Sequence, residues 1–430
     1  MNNQAFRYFL ILWVGELIAT VGSGLTAFAL GVYVFQFTQS ATSVALMMLL
    51  AFLPTILLAP LAGVLADRFD RRLLMIIGDG CSALGPMIIL IASFVGELAM
   101  WHIYIGVVIS ASFSALLEPA YKATISDMLP EDLYSKASGL VQLAGASRYL
   151  LAPVLAGLLL AWMNIQTILL IDISTIVITL ATISVVRKKI VRTQNTQLHS
   201  STNFRFDFSE GWQSITQNKG VLMLTISMSV VTFCVGFFQT LFSPMILSFS
   251  NEKILGTLLS ISATGMLIGS LLLGLFAMTR DFVFKLSLAL AFLGIFISLT
   301  GITTNIYFIG LSAFLFFSAL PFVNTSAEVL LRKNVDQDKQ GRAWGLIGTI
   351  SQSGYVLAYC ISGLLADYIF NPALTENGWL AKSVIGGVIG VGAGRGIGFM
   401  LVISGLLIVI FAVFVPKIKS IQTLEHKLIP

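Results

Sequence analysis

The chain alternates long apolar runs with short polar breaks. The runs lie near residues 8–37, 42–65, 73–95, 102–125, 137–161 and 165–186, then 220–248, 254–278, 284–303, 305–330, 341–366 and 397–416. Each is close to the roughly 20 apolar residues that a helix needs to cross a bilayer. Within the runs the apolar residues cover every face, as expected of helices surrounded by lipid and by one another. The pattern therefore predicts an all-α polytopic membrane protein with 12 transmembrane helices in two six-helix bundles. The predicted boundaries are 1–190 for the first bundle, 191–218 for a polar linker and 219–430 for the second bundle. The first run is too long for the core of a signal peptide and lacks a cleavage site, so it is expected to remain as the first helix.

Composition supports this reading. Apolar residues make up 57% of the chain and charged residues only 10%, whereas a soluble domain carries about 25% charge. The placement of the charges is informative as well. Of the 25 Lys and Arg, only Lys253, Lys382 and Arg395 fall in the odd-numbered interhelical loops, and Arg148 falls inside a span. All the others lie in the even-numbered loops and the two tails. That asymmetry predicts both termini in the cytoplasm. The net charge of +5 is spread over short clusters rather than one stripe, so nucleic acid is not an expected partner. Cys81, Cys234 and Cys360 all lie in apolar runs and indicate no disulfide framework. In the linker, Phe208, Trp212 and Ile215 recur at helical spacing. They predict either a short amphipathic helix on the membrane surface or a flexible tether with scattered aromatics.

The two halves echo each other. Gly139-Leu140 and Gly157-Leu158-Leu159 return with the same separation as Gly345-Leu346 and Gly363-Leu364-Leu365. Internal repetition of this sort is frequent in transporters, whose substrate sites lie at the repeat interface.

Between the second and third spans stands Gly63-Val64-Leu65-Ala66-Asp67-Arg68-Phe69-Asp70-Arg71-Arg72. This stretch resembles the loop signature of the major facilitator superfamily, with Asp70 where that family usually has a second glycine. The resemblance implies two bundles that rock around a central cavity, with Gly63, Asp67, Arg68, Arg71 and Arg72 forming a cytoplasmic gate motif. By the same resemblance Asp67 and Arg68 would latch the two halves. The equivalent stretch in the second half, Gly274 to Asp281, is degenerate. A narrower resemblance is to the macrolide-efflux branch of that superfamily. It rests on Leu129-Pro130-Glu131-Asp132, Ile171-Asp172, Ser209-Glu210-Gly211-Trp212, Gln217-Asn218-Lys219-Gly220, Gly341 to Gly348 and Ser362 to Asp367. Ala152-Pro153-Val154-Leu155-Ala156-Gly157 is similar to the Gly-Pro-x-x-Gly-Gly pattern of proton-driven exporters. The arginine that such exporters often carry in the fourth span is replaced here by Ser110, so another buried ionisable group would have to serve.

A charge at the bilayer centre costs about 2.5–3.5 kcal/mol on insertion scales, which makes each intramembrane ionisable residue a site candidate. These are Glu16, Asp79, Glu118, Arg148, Asp172 and Glu328. Spans one, four, seven and ten line the cavity in the family that the chain resembles, which favours Glu16, Glu118 and Glu328. Glu16, Glu118 and Arg148 are the proton-coupling candidates, with protonation of Glu16 or Glu118 expected to break a pair with Arg148. Lys122 and Arg332 stand at i+4 from Glu118 and Glu328, a spacing that permits local ion pairs. Asp79 and Asp172 fall on supporting spans and are expected to make structural hydrogen bonds. Phe233, Phe237 and Phe238 form part of an aromatic stripe that could wall a lipophilic substrate. With Glu328 they are the substrate-cavity candidates.

Other signals point away from chemistry. The glycine-rich stretch Gly390 to Gly398 lacks the strand and the acidic residue of a dinucleotide fingerprint. His102, His199 and His426 are isolated, so no metal is expected. No nucleophile and base constellation and no ATP-binding loop emerges, and no cofactor is implied. The expectation is a monomeric secondary active efflux transporter, not an enzyme, in a bacterial cytoplasmic membrane. It would exchange protons for a small lipophilic compound such as a macrolide. The alternatives are transport of a metabolite, peptide or siderophore, or a non-transporting receptor or scaffold.

Overall fold

In a computed structural model the apolar runs form 12 helices, among the described residues, that are long enough to cross a membrane. The structure describes residues 2–96, 98–130, 133–189, 212–213, 215–275, 280–335 and 340–426. The helices are α1 (Gln4–Thr38), α2 (Ala41–Ala66), α3 (Arg71–Val95), α4 (Met100–Met128), α5 (Lys136–Leu160) and α6 (Ile165–Arg187). The remaining six are α7 (Lys219–Leu247), α8 (Glu252–Leu275), α9 (Phe282–Ile302), α10 (Ile306–Arg332), α11 (Ala343–Ala373) and α12 (Arg395–Lys417). Most of the linker, with Phe208 and His199, lies outside the described residues, as does the segment 276–279 of the degenerate repeat. The chain is a multi-pass, all-α membrane protein.

Three of these spans are broken, each a few residues before a proline. In α3 the helical segments are Arg71–Ser82 and Leu84–Val95, ahead of Pro86. In α4 they are Met100–Ser114 and Leu117–Met128, and Pro119 follows the break. In α5 they are Tyr134–Leu150 and Ala152–Leu160, with Pro153 at the second residue of the new segment. Proline has no N–H for the carbonyl four residues back and crowds that carbonyl, so the helix restarts around it.

The described chain divides into two compact units. One comprises Met1–Gln39, Leu46–Gln194 and Ser250–Ser260, and the other Ser40–Ala45, Asn195–Phe249 and Ile261–Pro430. In the first unit α1 packs along α6, held by the Thr179 hydroxyl, which donates to the Gly15 carbonyl at 3.0 Å. Trp13 in α1 donates its indole N–H to the Leu140 carbonyl of α5 at 2.6 Å. A core of Phe9, Leu12, Met75, Ala120, Tyr121, Ile183 and Val186 binds α1, α3, α4 and α6 together.

In the second unit α7 packs on α11 and α9 on α12. Asn218 caps α7 by accepting from the backbone N–H groups of Gly220 and Val221 at 3.0 and 3.4 Å, the usual use of asparagine at this position. Arg395, the first residue of α12 and part of the glycine-rich stretch, is only 3% exposed. It donates to the carbonyls of Ile389, Gly301 and Thr303 at 2.7, 2.8 and 3.2 Å. The last two are at the C-terminal end of α9, where carbonyls lack helical partners and attract a cation. That contact ties the segment between α11 and α12 to the end of α9. Asp367, on a π-helical turn at the end of α11, accepts from the Thr42 backbone N–H at 2.8 Å and the Ser40 hydroxyl at 2.7 Å.

Candidate functional site

The loop motif is built on ordinary helix-end chemistry. Asp70 is the N-cap of α3 and accepts from the N–H groups of Arg72 and Leu73 at 3.0 and 3.4 Å. Its second oxygen lies 3.2 Å from Arg187 Nε at the end of α6. The residue that departs from the family pattern therefore has a local task in the first unit. Arg71 reaches Asp127 of α4 at 2.6 Å and also donates to the Ala123 and Ala66 carbonyls at 3.1 and 3.3 Å. Arg71 and Asp70 thus tie the α2–α3 turn to α4 and α6. Arg68 is exposed and Gly63 half-buried, while the Asp67 side chain lies outside the described residues.

The intramembrane ionisable groups separate into two kinds. Glu118 and Glu328 are exposed and form the i+4 pairs that their spacing allows, with Lys122 at 2.6 Å and with Arg332 at 2.5 Å. No ion pair links Glu118 to Arg148, and none involves Arg148 at all, among the described residues; the carboxylate within its electrostatic range is Asp172.

The other kind is confined to the first unit. Glu16 is half-buried in α1, about 18 Å along the helix from Gln4 at 1.5 Å per residue. Asp79 in α3 and Asp172 in α6 are 4% and 2% exposed. Asp79 stands within electrostatic range of both Glu16 and Asp172. Asp79 Oδ2 and the buried Tyr121 hydroxyl find no hydrogen-bond partner, whereas Asp172 lies within hydrogen-bond reach of the Thr26 hydroxyl of α1. Buried polar atoms are nearly always paired, so an unpaired carboxylate oxygen and an unpaired phenol that both stand in range of Glu16 mark a place with a task other than packing. A single sequence could not show this, because it depends on how α1, α3 and α6 are rotated and staggered.

The aromatic stripe is present in the second unit, and its members differ. Phe237 and Phe238 are 8% and 1% exposed, whereas Phe233 is half-buried. Phe233 and Phe237 meet edge-on with centroids 5.0 Å apart. Phe238 lies 4.4 Å from Phe316 of α10 and 4.8 Å from Phe242. It is part of the α7–α10 core and cannot touch a ligand without repacking. Beside the stripe the Tyr359 hydroxyl donates to Gln239 Oε1 at 2.6 Å. Sequence reading did not single out this polar pair, although Tyr355 and Tyr359 at i and i+4 place two phenols on one face of α11.

Comparison with known proteins agrees with this architecture. A family model described as Major Facilitator Superfamily matches residues 12–359. The chain is 26% identical over 434 residues to macrolide efflux protein A of Streptococcus pyogenes, covering 99% of each. It is 29% identical over 313 residues to a protein of the same name from Enterococcus faecalis, covering 71% of this chain and 95% of that one. Among solved structures, a variant of the nucleoside transporter NupG superposes with a TM-score of 0.74 at 13% identity, covering 95% of this chain and 99% of that one. At that identity the likeness speaks for the fold alone.

Proposed function

The chain belongs to the Major Facilitator Superfamily, and we propose that this transporter expels a lipophilic drug-like compound such as a macrolide in exchange for protons. It works by alternating access in a bacterial cytoplasmic membrane, with both termini in the cytoplasm. The substrate class is supported by full-length similarity to proteins named for macrolide efflux. The orientation is supported by the concentration of Lys and Arg in the even-numbered loops and tails.

The observation that carries the coupling is Glu16, a half-buried carboxylate deep in α1 for which no ion pair is present among the described residues. A lone carboxylate in low dielectric is far easier to hold when neutral, so it binds a proton on one side of the membrane and gives it up where water reaches it. Arg148 supplies a fixed positive charge near the same helices; its approach to α1 is set by Gly24, where an added Cβ would lie 3.3 Å from Arg148 Cγ. Lys122 already holds Glu118, which leaves Glu16 as the principal coupling group. Phe233 offers the substrate an apolar face in the second unit, with Phe237 packed edge-on behind it.

The test is transport by purified protein in liposomes. An imposed pH gradient should drive a labelled macrolide from the alkaline to the acidic compartment, beyond what protein-free liposomes show. Gradient-driven flux of a metabolite, peptide or siderophore instead of the macrolide would replace the substrate assignment. No gradient-driven flux of any compound would overturn the transport mechanism itself.

A further inference from the structure

We propose that Asp172 and Asp79 are two proton-binding stations of a relay that runs through the first unit along the seam of α1 and α6, with Glu16 beside the second station and Arg148 beside the first. The proposal rests on the coupling reading above and extends it to two residues whose positions on the chain suggested only a supporting role.

The seam is polar along its length. Asp172, Thr175, Thr179 and Thr182 are spaced at i, i+3, i+7 and i+10 on α6 and so share one helix face. Helix α1 meets that face through glycines. A Cβ at Gly22 would fall 2.2 Å from Thr175 Oγ1 and 3.1 Å from Asp172 Oδ1, and a Cβ at Gly15 would fall 2.2 Å from Thr182 Oγ1. These contacts set the register. Asp172 lies at the level of Gly22, and Thr179 and Thr182 lie at the level of Gly15 and Glu16. Asp79 joins the lower level, because its neighbour Gly80 faces Leu180, with Leu180 Cδ1 3.7 Å from where a Cβ would be. The two stations are thus about two helical turns apart, on the order of 10 Å along the axis.

At the upper station Asp172 is within hydrogen-bond reach of the Thr26 hydroxyl, which is 7% exposed. At the lower one Asp79 Oδ2 and the Tyr121 hydroxyl, which lies in range of Glu16, have no hydrogen-bond partner. An orphaned buried polar group costs about 1–3 kcal/mol. Two of them in range of Glu16 would be poor design for a purely structural seam, and they are appropriate where a proton must be received and released.

The geometry favours protons over a bound metal ion. Among the described residues no three His, Cys, Asp or Glu side chains converge to hold one ion, whereas hard cations need several oxygens at about 2.0–2.6 Å. The titratable and charged groups that face the stations are Glu16 from α1, Tyr121 from α4 and Arg148 from α5, together with the two aspartates themselves. The step balances simply. A proton from the outer water forms an O–H bond at Asp172, which neutralises it and frees it from the field of Arg148. It then passes through water along the Thr175–Thr179 face of α6 to Asp79 or Glu16, each carrier releasing one proton as it gains another. It leaves to the cytoplasmic water, so that both carboxylates return to their starting form.

The spectroscopic and labelling measurements use full-length protein without substrate, so that they do not depend on the macrolide assignment, and the transport measurement is made separately. Infrared difference spectra between acid and alkaline pH should show protonated-carboxyl bands. Asp79→Asn and Asp172→Asn should each remove one of them. In liposomes both variants should lose gradient-driven efflux and keep substrate exchange in the absence of a gradient. Carbodiimide labelling of the wild-type protein with peptide mapping guards against variants that fail to fold, and should find Asp79 and Asp172 modified at low pH and protected at high pH. Carboxyl bands in a protein that moves no macrolide would uphold the relay while overturning the substrate. Variants with undiminished bands and undiminished gradient-driven efflux would overturn the relay, as would two aspartates that remain unlabelled at every pH.

Discussion

Asp70 uses one oxygen to cap α3 and places the other 3.2 Å from Arg187 at the end of α6. Both ends of this contact lie in one unit, so the residue that replaces the family's glycine fastens a turn to its own bundle. Asp70→Ala removes the cap, worth about 1 kcal/mol, and a part-exposed ion pair worth less than about 1 kcal/mol. A thermal unfolding series in detergent should show a modest drop in midpoint, with a smaller drop for Arg187→Gln. Equal midpoints for Asp70→Ala and wild type would mean that the cap contributes nothing.

Gly22 is where α1 touches the polar face of α6. Gly22→Ala would push a methyl to 2.2 Å from Thr175 Oγ1, and overpacking of this kind costs about 1–3 kcal/mol. Folded yield and unfolding midpoint should both fall. Adding Thr175→Ala removes the crowded hydroxyl and should recover part of the loss. If the second substitution deepened the defect, the close α1–α6 approach would be wrong.

The aromatic stripe should separate by burial. Phe238, 1% exposed against Phe316, is a core residue, and Phe238→Ala should destabilise the protein by about 3–5 kcal/mol. Phe233 is half-buried, so Phe233→Ala should leave the unfolding midpoint nearly unchanged and alter the apparent affinity for lipophilic substrates. Ranking a panel of macrolides by transport through both variants checks this. The opposite pattern, stability lost at Phe233 and specificity at Phe238, would reverse the assignment.

Glu118 and Glu328 are held by exposed partners one turn away, Lys122 and Arg332. Exposed i,i+4 pairs contribute about 0.3–0.5 kcal/mol. Glu118→Gln and Glu328→Gln should therefore leave both stability and the pH dependence of transport close to wild type, in contrast to Glu16→Gln. Measuring the three side by side over a pH series distinguishes a coupling carboxylate from a surface pair.

These contrasts show what a sequence can and cannot carry. Twelve spans and the two i+4 ion pairs were legible because they depend on local spacing alone. The breaks in α3, α4 and α5 were implicit in Pro86, Pro119 and Pro153, yet Pro54, Pro60, Pro244 and Pro321 lie inside unbroken helices. Packing around the proline decides which outcome follows. Asp79 and Asp172 were read as structural because their spans are not cavity-lining in the family that the chain resembles. The unpaired Asp79 oxygen and the approach of Asp172 to Thr26 are tertiary facts that rest on how α1, α3 and α6 are staggered. Arg395 was hidden for a similar reason, since its acceptors lie in the loop just before it and some ninety residues earlier, at the end of α9.

The most direct measurement compares wild type and Glu16→Gln in liposomes carrying an imposed pH gradient, with labelled macrolide exchange without a gradient as the control for folding. The account predicts that wild type concentrates macrolide in the acidic compartment and that Glu16→Gln exchanges it without concentrating it. Gradient-driven accumulation by Glu16→Gln equal to that of wild type would contradict it.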